Sequence, residues 1–364
     1  MEFICTKCGR KEAVTTRAAH CACGGLWRLA YEPPKFDLAE IDRNEWSLFR
    51  YRRFLALDDE SWRSVSMGEG MTPVVRLDDN VLLKMDYFMP TLSFKDRGAA
   101  ALIAHCKSIG VQQVVQDSSG NAGNAVAAYC ARSGIGCEIF VPEGTSPKKI
   151  DMIRAHGAVC TVVPGTRDHC ADVCREKVER EGVYYANHVY NPFFYEGTKT
   201  YIYEVFEQLG RIPANLVIPV GNGTLFLGAM YALEHLFNSG VIDRFPQIIA
   251  LQSQNCDPLL RAAEHGKTEP EAVMPAPTIA EGIAIGKPMR GREILTLAEK
   301  HGVHFIHAPE EQILSARATL AKKGIYCEHT TAANYAAYLE YCRVYGKTSD
   351  TLITMCGAGL KSDH

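Results

Sequence analysis

One lysine in an unusual setting and two pairs of cysteines are the side chains whose types and spacing could do chemistry here. Lys95 stands in Ser93-Phe94-Lys95-Asp96-Arg97-Gly98, preceded by Pro90-Thr91. An aromatic and small neighbours suit a half-buried amine, and burial disfavours its charged form, which leaves a nucleophile able to attack a carbonyl. Taken alone, a lysine beside Asp96 and Arg97 is more often a surface charge, so its weight depends on the other segments. The cysteines lie in Cys5-Thr6-Lys7-Cys8-Gly9 and His20-Cys21-Ala22-Cys23-Gly24-Gly25. Glycine knuckles let backbone amides turn toward thiolate sulfur, as a zinc ribbon needs. Cys5, Cys8 and Cys23 are three ligands, with His20 or Cys21 as the fourth. Four protein ligands leave no open position for substrate, so such a zinc would be structural. A degenerate ribbon without metal is the alternative.

Three more segments could serve the lysine. Asp117-Ser118-Ser119-Gly120-Asn121-Ala122-Gly123-Asn124 follows an apolar run and opens an Ala-rich stretch. Small residues there leave amides free at a helix N-terminus, an anion site that Ser119 and Asn121 extend with side-chain donors. A substrate carboxylate or a phenolic oxygen fits; a helix cap with turn glycines is the bland alternative. Gly221-Asn222-Gly223-Thr224 has the strand, glycine turn and helix of a phosphate cradle. A dinucleotide fingerprint on Gly221, Gly223 and Gly228 is the competing reading. It lacks its acidic residue, because the next strand ends in Leu251-Gln252-Ser253-Gln254. Finally, Met355-Cys356-Gly357-Ala358-Gly359-Leu360-Lys361 ends the last apolar run, where a small polar side chain reaches the crevice at the carboxyl ends of strands.

The elements that must position these residues alternate. Strands are expected at Val111–Gln116, Cys137–Val141, Val159–Val163, Leu216–Val220, Ile248–Gln252 and Leu352–Met355. Helices are expected at Ala122–Arg132, Pro147–His156, Asp168–Glu181, Leu225–Asn238, Ile313–Lys323 and Thr331–Val344. Short continuous apolar strands between helices imply parallel sheets covered on both faces. Residues 30–67 read as a wrapping segment with a short helix. The 364 residues, 47% hydrophobic and 22% charged, are enough for two domains of ordinary globular composition. A net charge of -3 gives no basic field for nucleic acid, and no apolar run reaches membrane-spanning length. A cytoplasmic protein is the simple expectation. Of the fourteen cysteines, the ten beyond residue 23 read mostly as small hydrophobes.

The ordered set Glu69-Gly70-Met71-Thr72-Pro73, Pro90 to Gly98, Ser119-Gly120-Asn121 and Cys356 to Lys361 resembles threonine synthase and its fold-type II relatives, which depend on pyridoxal phosphate. The resemblance covers essentially the whole chain, and the ribbon-like start is similar to one in some threonine synthases. It implies an α/β fold-type II enzyme with two three-layer αβα domains. A zinc-ribbon-like module would occupy 1–30, the large cofactor domain 31–97 and 206–364, and a small mobile substrate domain 98–205, with the cofactor in the cleft between them. It implies Lys95 as the Schiff-base lysine, Asn121 on the cofactor's phenolic oxygen, and Gly221, Asn222, Gly223 and Thr224 around its phosphate. Cys356 would face the pyridine nitrogen; a neutral thiol there delocalises the carbanion less deeply than a carboxylate and favours elimination over transamination. Thr91, Ser93, Ser118, Ser119, Gly120, Asn121, Ala122 and His329 would meet a small amino-acid substrate.

The implied activity is a lyase: O-phosphohomoserine to threonine, or deamination of threonine, serine or diaminopropionate, or β-replacement on phosphoserine or acetylserine. A homodimer is expected, and a binding protein with lost catalysis is the alternative of another class. Met89, Cys356, the Glu328-His329-Thr330 run and the hybrid stretch Thr278 to Pro288 depart from the usual synthase residues.

Overall fold

In a computed structural model, residues 1–57 and 59–361 are described. They fall into two compact units, Met1–Gly70 with Lys95–Thr198, and Met71–Phe94 with Lys199 onward. The chain opens in the first unit with a small antiparallel sheet, β1 (Glu2–Cys5), β2 (Lys11–Ala13) and β3 (Trp27–Ala30), in the order β2-β1-β3. The segment after it carries three 3-10 turns, Leu38–Glu40, Leu48–Phe54 and Ser61–Ser64, rather than one short helix. Asp37 and Ser47 start two of them by accepting from the amides of Ala39 and Phe49. Two strands of the second unit come next, β4 (Val74–Arg76) and β5 (Val81–Lys84).

The first unit then resumes with α1 (Lys95–Ser108), β6 (Gln113–Gln116), α2 (Asn121–Ser133), β7 (Gly136–Pro142), α3 (Pro147–Ala155), β8 (Val159–Val163), α4 (Arg167–Glu181), β9 (Tyr184–Tyr185) and the start of α5 (Phe193–Leu209). Its sheet has the order β8-β7-β6-β9, parallel throughout. The chain moves outward from β6 to β7 and β8, then returns to β9 on the other side of β6. Between β6 and β9 the order reverses, the position at which sheets of this kind bind ligands beyond the carboxyl ends of their strands. Val115, Phe140, Val163, Cys170, Cys174 and Tyr185 pack one face and Ala127, Ile139, Val141 and Ile153 the other. Each fully buried valine or isoleucine contributes about 1.5–3 kcal/mol.

The second unit contains the remainder: β10 (Asn215–Pro219), α6 (Thr224–Asn238), β11 (Gln247–Ser253), α7 (Pro258–Glu264), α8 (Gly291–Lys300), β12 (His304–Ala308), α9 (Glu310–Ala321), α10 (His329–Tyr345) and β13 (Thr351–Thr354). Its order is β12-β11-β10-β13-β5-β4, parallel except for the edge strand β4. Here too the order reverses, between β10 and β13. The expected α/β class with parallel-rich sheets is what these elements form. At the antiparallel edge, buried Lys84 donates to Glu204 (2.5 Å) and to the Thr72 carbonyl (2.6 Å), which pins the residues before β4. Among the described residues no helix is long and apolar enough to cross a membrane.

Candidate active site

In the second unit, the loops that leave β10 and β13 lie at neighbouring carboxyl ends, at the reversal. The β10 loop is Gly221-Asn222-Gly223. Gly223 has φ +78°, and a Cβ there would stand 2.4 Å from Ile294 Cδ1, so only glycine makes the turn. Its N-cap residue, Gly223, has no side chain to cap α6, and the first turn holds no acidic residue, so this helix start suits an anion. A Cβ on Gly221 would be 3.1 Å from Ile283 Cα, so this loop lies against the Glu281–Ile283 turn.

The β13 loop starts at Cys356, which is buried. Its Sγ lies 3.1 Å from Thr331 Oγ1 on α10 and 3.9 Å from Asn334 Nδ2. Burial first, then the nearby Glu328 charge, pushes this thiol up to about 12, so it is neutral at ordinary pH. Thr331 Oγ1 also takes the Gly357 N–H at 2.8 Å, which fixes the loop. The same loop holds the segment before the lysine. Ser93 bridges Gly357, Phe94 donates its N–H to the Cys356 carbonyl (3.0 Å), and Lys361 reaches the Thr91 carbonyl (2.9 Å). Between Thr91 and Ser93, Leu92 has φ +60°, a left-handed conformation a leucine adopts only under constraint. His329 opens α10, with Nε2 3.3 Å from Arg317 Nη1.

In the first unit, Lys95 is the first residue of α1 and half-buried. Its Nζ lies 5.9 Å from the centre of the Phe194 ring. That ring covers the α1 backbone so closely that a Cβ on Gly98 would be 2.2 Å from it. One helix turn on, a Cβ on Gly197 would meet the Arg97 carbonyl oxygen at 1.9 Å. Asp96 and Arg97 are fully buried. The expected anion loop follows β6: Gly120 precedes α2 without a side-chain cap, and Asn121 is the first helical residue. Gly123 lets this loop fold back, since a Cβ there would meet the Ser118 carbonyl oxygen at 1.8 Å. Asn124 Oδ1 is buried without a partner.

The ribbon draws Cys5, Cys8, Cys21 and Cys23 together, with all four sulfurs within 4.8 Å of one another. His20 is not part of this cluster; its Nδ1 lies 2.9 Å from the Cys21 carbonyl. The Lys7 N–H points at Cys5 Sγ (3.4 Å), the amide-to-sulfur contact of a metal knuckle. Within the second unit, the glycine turn and the neutral thiol are groups whose chemistry suits a phosphorylated pyridine.

A family model, "Pyridoxal-phosphate dependent enzyme", matches residues 65–357. The chain belongs to the pyridoxal-phosphate-dependent enzymes. Curated relatives of this pyridoxal-phosphate-dependent enzyme include the threonine synthase of Methanocaldococcus jannaschii, 30% identical over 347 residues, 91% of this chain and 85% of that protein. The threonine synthase of Mycobacterium leprae is 30% identical over 322 residues, 85% of this chain and 87% of that one. Among solved structures, the processed form of threonine deaminase isoform 2 from Solanum lycopersicum superposes with a TM-score of 0.70 at 21% identity, covering 91% of this chain and 93% of that one. Maize serine racemase gives 0.69 at 20% identity, covering 84% and 94%. These two likenesses show the fold, fold-type II, that the sequence resemblance implies.

Reading the sequence missed His188 and Phe194. His188 sits in the loop after β9, and its ring meets that of Phe194 at 5.8 Å. Their only sequence signal is position: they follow a two-residue strand and open a helix, without a motif of their own.

Proposed function

We propose that this enzyme is a lyase that removes the α-proton of a small amino acid and expels a group from its Cβ or Cγ. The observation that carries the reading is the neutral, buried Cys356 thiol beside an uncapped amide cradle at the reversal of the second sheet. Pyridoxal phosphate, when bound, supplies an electron sink that acidifies the α C–H. The amides of Gly221, Asn222, Gly223 and Thr224 would hold its phosphate, Asn121 its phenolic oxygen, Cys356 its ring nitrogen and Lys95 its aldehyde carbon. A neutral Cys356 thiol would add no negative charge to the cofactor ring nitrogen, which would favour loss of a leaving group over transamination. The Lys95 Nζ would take the α-proton of the substrate. Amides at Ser118, Ser119, Gly120, Asn121 and Ala122 would bind the substrate carboxylate, with Thr91, Ser93 and His329 lining the approach.

The threonine synthases at 30% identity make O-phosphohomoserine one substrate to assay, with release of phosphate and threonine. Threonine, serine and diaminopropionate are the others, read by ammonia and keto acid; the neutral ring beside Lys95 favours this second set. The four thiols of the ribbon would hold a structural zinc. The purified protein should be yellow, borohydride should fix the cofactor on the peptide containing Lys95, and Lys95→Ala should lose both. A colourless wild-type protein that takes up no cofactor overturns the reading.

A further inference from the structure

The reversal in the sheet of the first unit has two loops, and only one is accounted for. The loop after β6 offers its amides to a carboxylate. The loop after β9, at the neighbouring carboxyl end, presents His188. The two loops are fastened to each other: Asn187 Nδ2 and the Tyr185 hydroxyl both donate to Asp117 Oδ1 at 2.7 Å. Asn187 Oδ1 in turn accepts the Val189 N–H (2.8 Å), which sets the turn that carries His188. A substrate carboxylate on the β6 loop would thus lie beside the loop that carries His188.

The His188 ring is 7% exposed and its Nδ1 has no hydrogen-bond partner. Phe194 lies against it and under Lys95, and is wedged on Gly98 so that it cannot swing aside. Burial, then the charges of Lys95 and Arg167, hold the imidazole neutral. A neutral imidazole with one open nitrogen offers a single hydrogen bond, as donor or acceptor according to tautomer. The flanking ring face carries partial negative charge. A phosphate dianion needs several hydrogen-bond donors, of which His188 supplies at most one. A hydroxyl needs one partner and a surface to lie on.

We infer that His188 reads a hydroxyl on the substrate side chain, and that this enzyme takes a hydroxy amino acid of the serine or threonine class in preference to a phosphorylated one. The inference rests on the lyase reading and names its substrate. A site built around one buried polar atom discriminates strongly against a ligand that leaves that atom unpaired.

The test uses the cofactor-loaded full chain, wild type and the variants His188→Ala and His188→Gln. Each is titrated with L-serine, L-threonine, L-2-aminobutyrate and O-phosphohomoserine, and binding is read from the cofactor absorbance before turnover is measured. The wild type should bind threonine at least about tenfold more tightly than O-phosphohomoserine or 2-aminobutyrate. His188→Ala should weaken serine and threonine by about thirtyfold, leave 2-aminobutyrate within about twofold, and raise KM more than it lowers kcat. His188→Gln, which keeps a side-chain hydrogen bond, should recover most of the loss. Equal weakening of all four ligands, or tighter binding of O-phosphohomoserine to the wild type, overturns this inference and leaves the lyase reading standing. A colourless wild-type protein overturns both.

Discussion

Cys356 and His188 show how far single residues explain this enzyme. Both are kept neutral by burial, one a thiol pushed up to about 12, the other an imidazole pushed well below its ordinary range. A thiol of that kind has almost no thiolate at pH 7.5, and the thiolate is the reactive form. Iodoacetamide at that pH should leave Cys356 unmodified in the native protein and alkylate it only in denaturant, as read by peptide mapping. Fast native alkylation would show that the thiol is ionised and would remove the argument for a neutral partner. Cys356→Ser should keep cofactor uptake. Cys356→Asp would bury a carboxylate against Glu328 and should destabilise the chain by several kcal/mol, measured by urea titration. Cys356 could be found in the sequence because its segment ends an apolar strand. His188 could not, because what matters is that β9 pairs with β6, and a strand of two tyrosines leaves no pattern to read.

At the scale of elements, six of the ten helices among the described residues were legible. α2, α3, α4, α6, α9 and α10 were expected close to where they lie. The expected strands at Val159–Val163 and Leu216–Val220 fall on β8 and β10. α1, α5, α7 and α8 were not expected. The run Gly98 to Cys106 of α1 is buried on every side, so it has no amphipathic period. α5 is rich in aromatic and β-branched residues of modest helix propensity. These two helices nonetheless form the scaffold under Lys95, crossing at Gly98 and Gly197, and the ribbon is packed on them. Phe3 of β1 stacks on Trp27 and edges against both His105 of α1 and Phe193 of α5, which are themselves stacked at 3.6 Å. The Val14 backbone adds a hydrogen bond to His105. The ribbon is thus a clamp on the helix that begins at Lys95. Phe3→Ala should cost about 3–5 kcal/mol. Removing the proposed zinc with a chelator should lower the thermal midpoint of the wild type, and much less so in Phe3→Ala, where the clamp is already open. An unchanged midpoint after verified zinc removal would show that the ribbon needs no metal to hold. Gly98→Ala should displace Phe194, with loss of the wild-type cofactor spectrum as the readout.

At the scale of the whole chain, buried ionisable groups shape stability against pH from both sides. Glu69 is fully buried in the first unit, accepting from the Met67 N–H (2.8 Å), the Tyr129 hydroxyl (3.0 Å) and the Ser66 hydroxyl (3.1 Å). Burial outweighs these donors and raises its carboxyl to about 7. The folded state then keeps this proton between about pH 4.5 and 7, where the unfolded chain gives it up, so stability falls as pH rises through that window, by about 3 kcal/mol in all. His105 acts in the opposite sense. Burial lowers it to about 3, so between about pH 6.5 and 3 the unfolded chain takes up a proton that the fold refuses, and stability falls as pH drops. His188, also held neutral by burial, adds to that acid limb. With both histidines the acid limb outweighs the Glu69 effect up to about pH 6.5, so the stability maximum stands near neutral pH. Urea midpoints of the wild type from pH 4 to 8 should trace that dome. In Glu69→Gln the fall above the maximum should flatten and the rise from about pH 5 to 7 should steepen, whatever the change in absolute stability from the altered hydrogen bonds. A Glu69→Gln curve parallel to wild type between pH 5 and 8 would mean that Glu69 is ionised throughout, and that its three donors outweigh its burial.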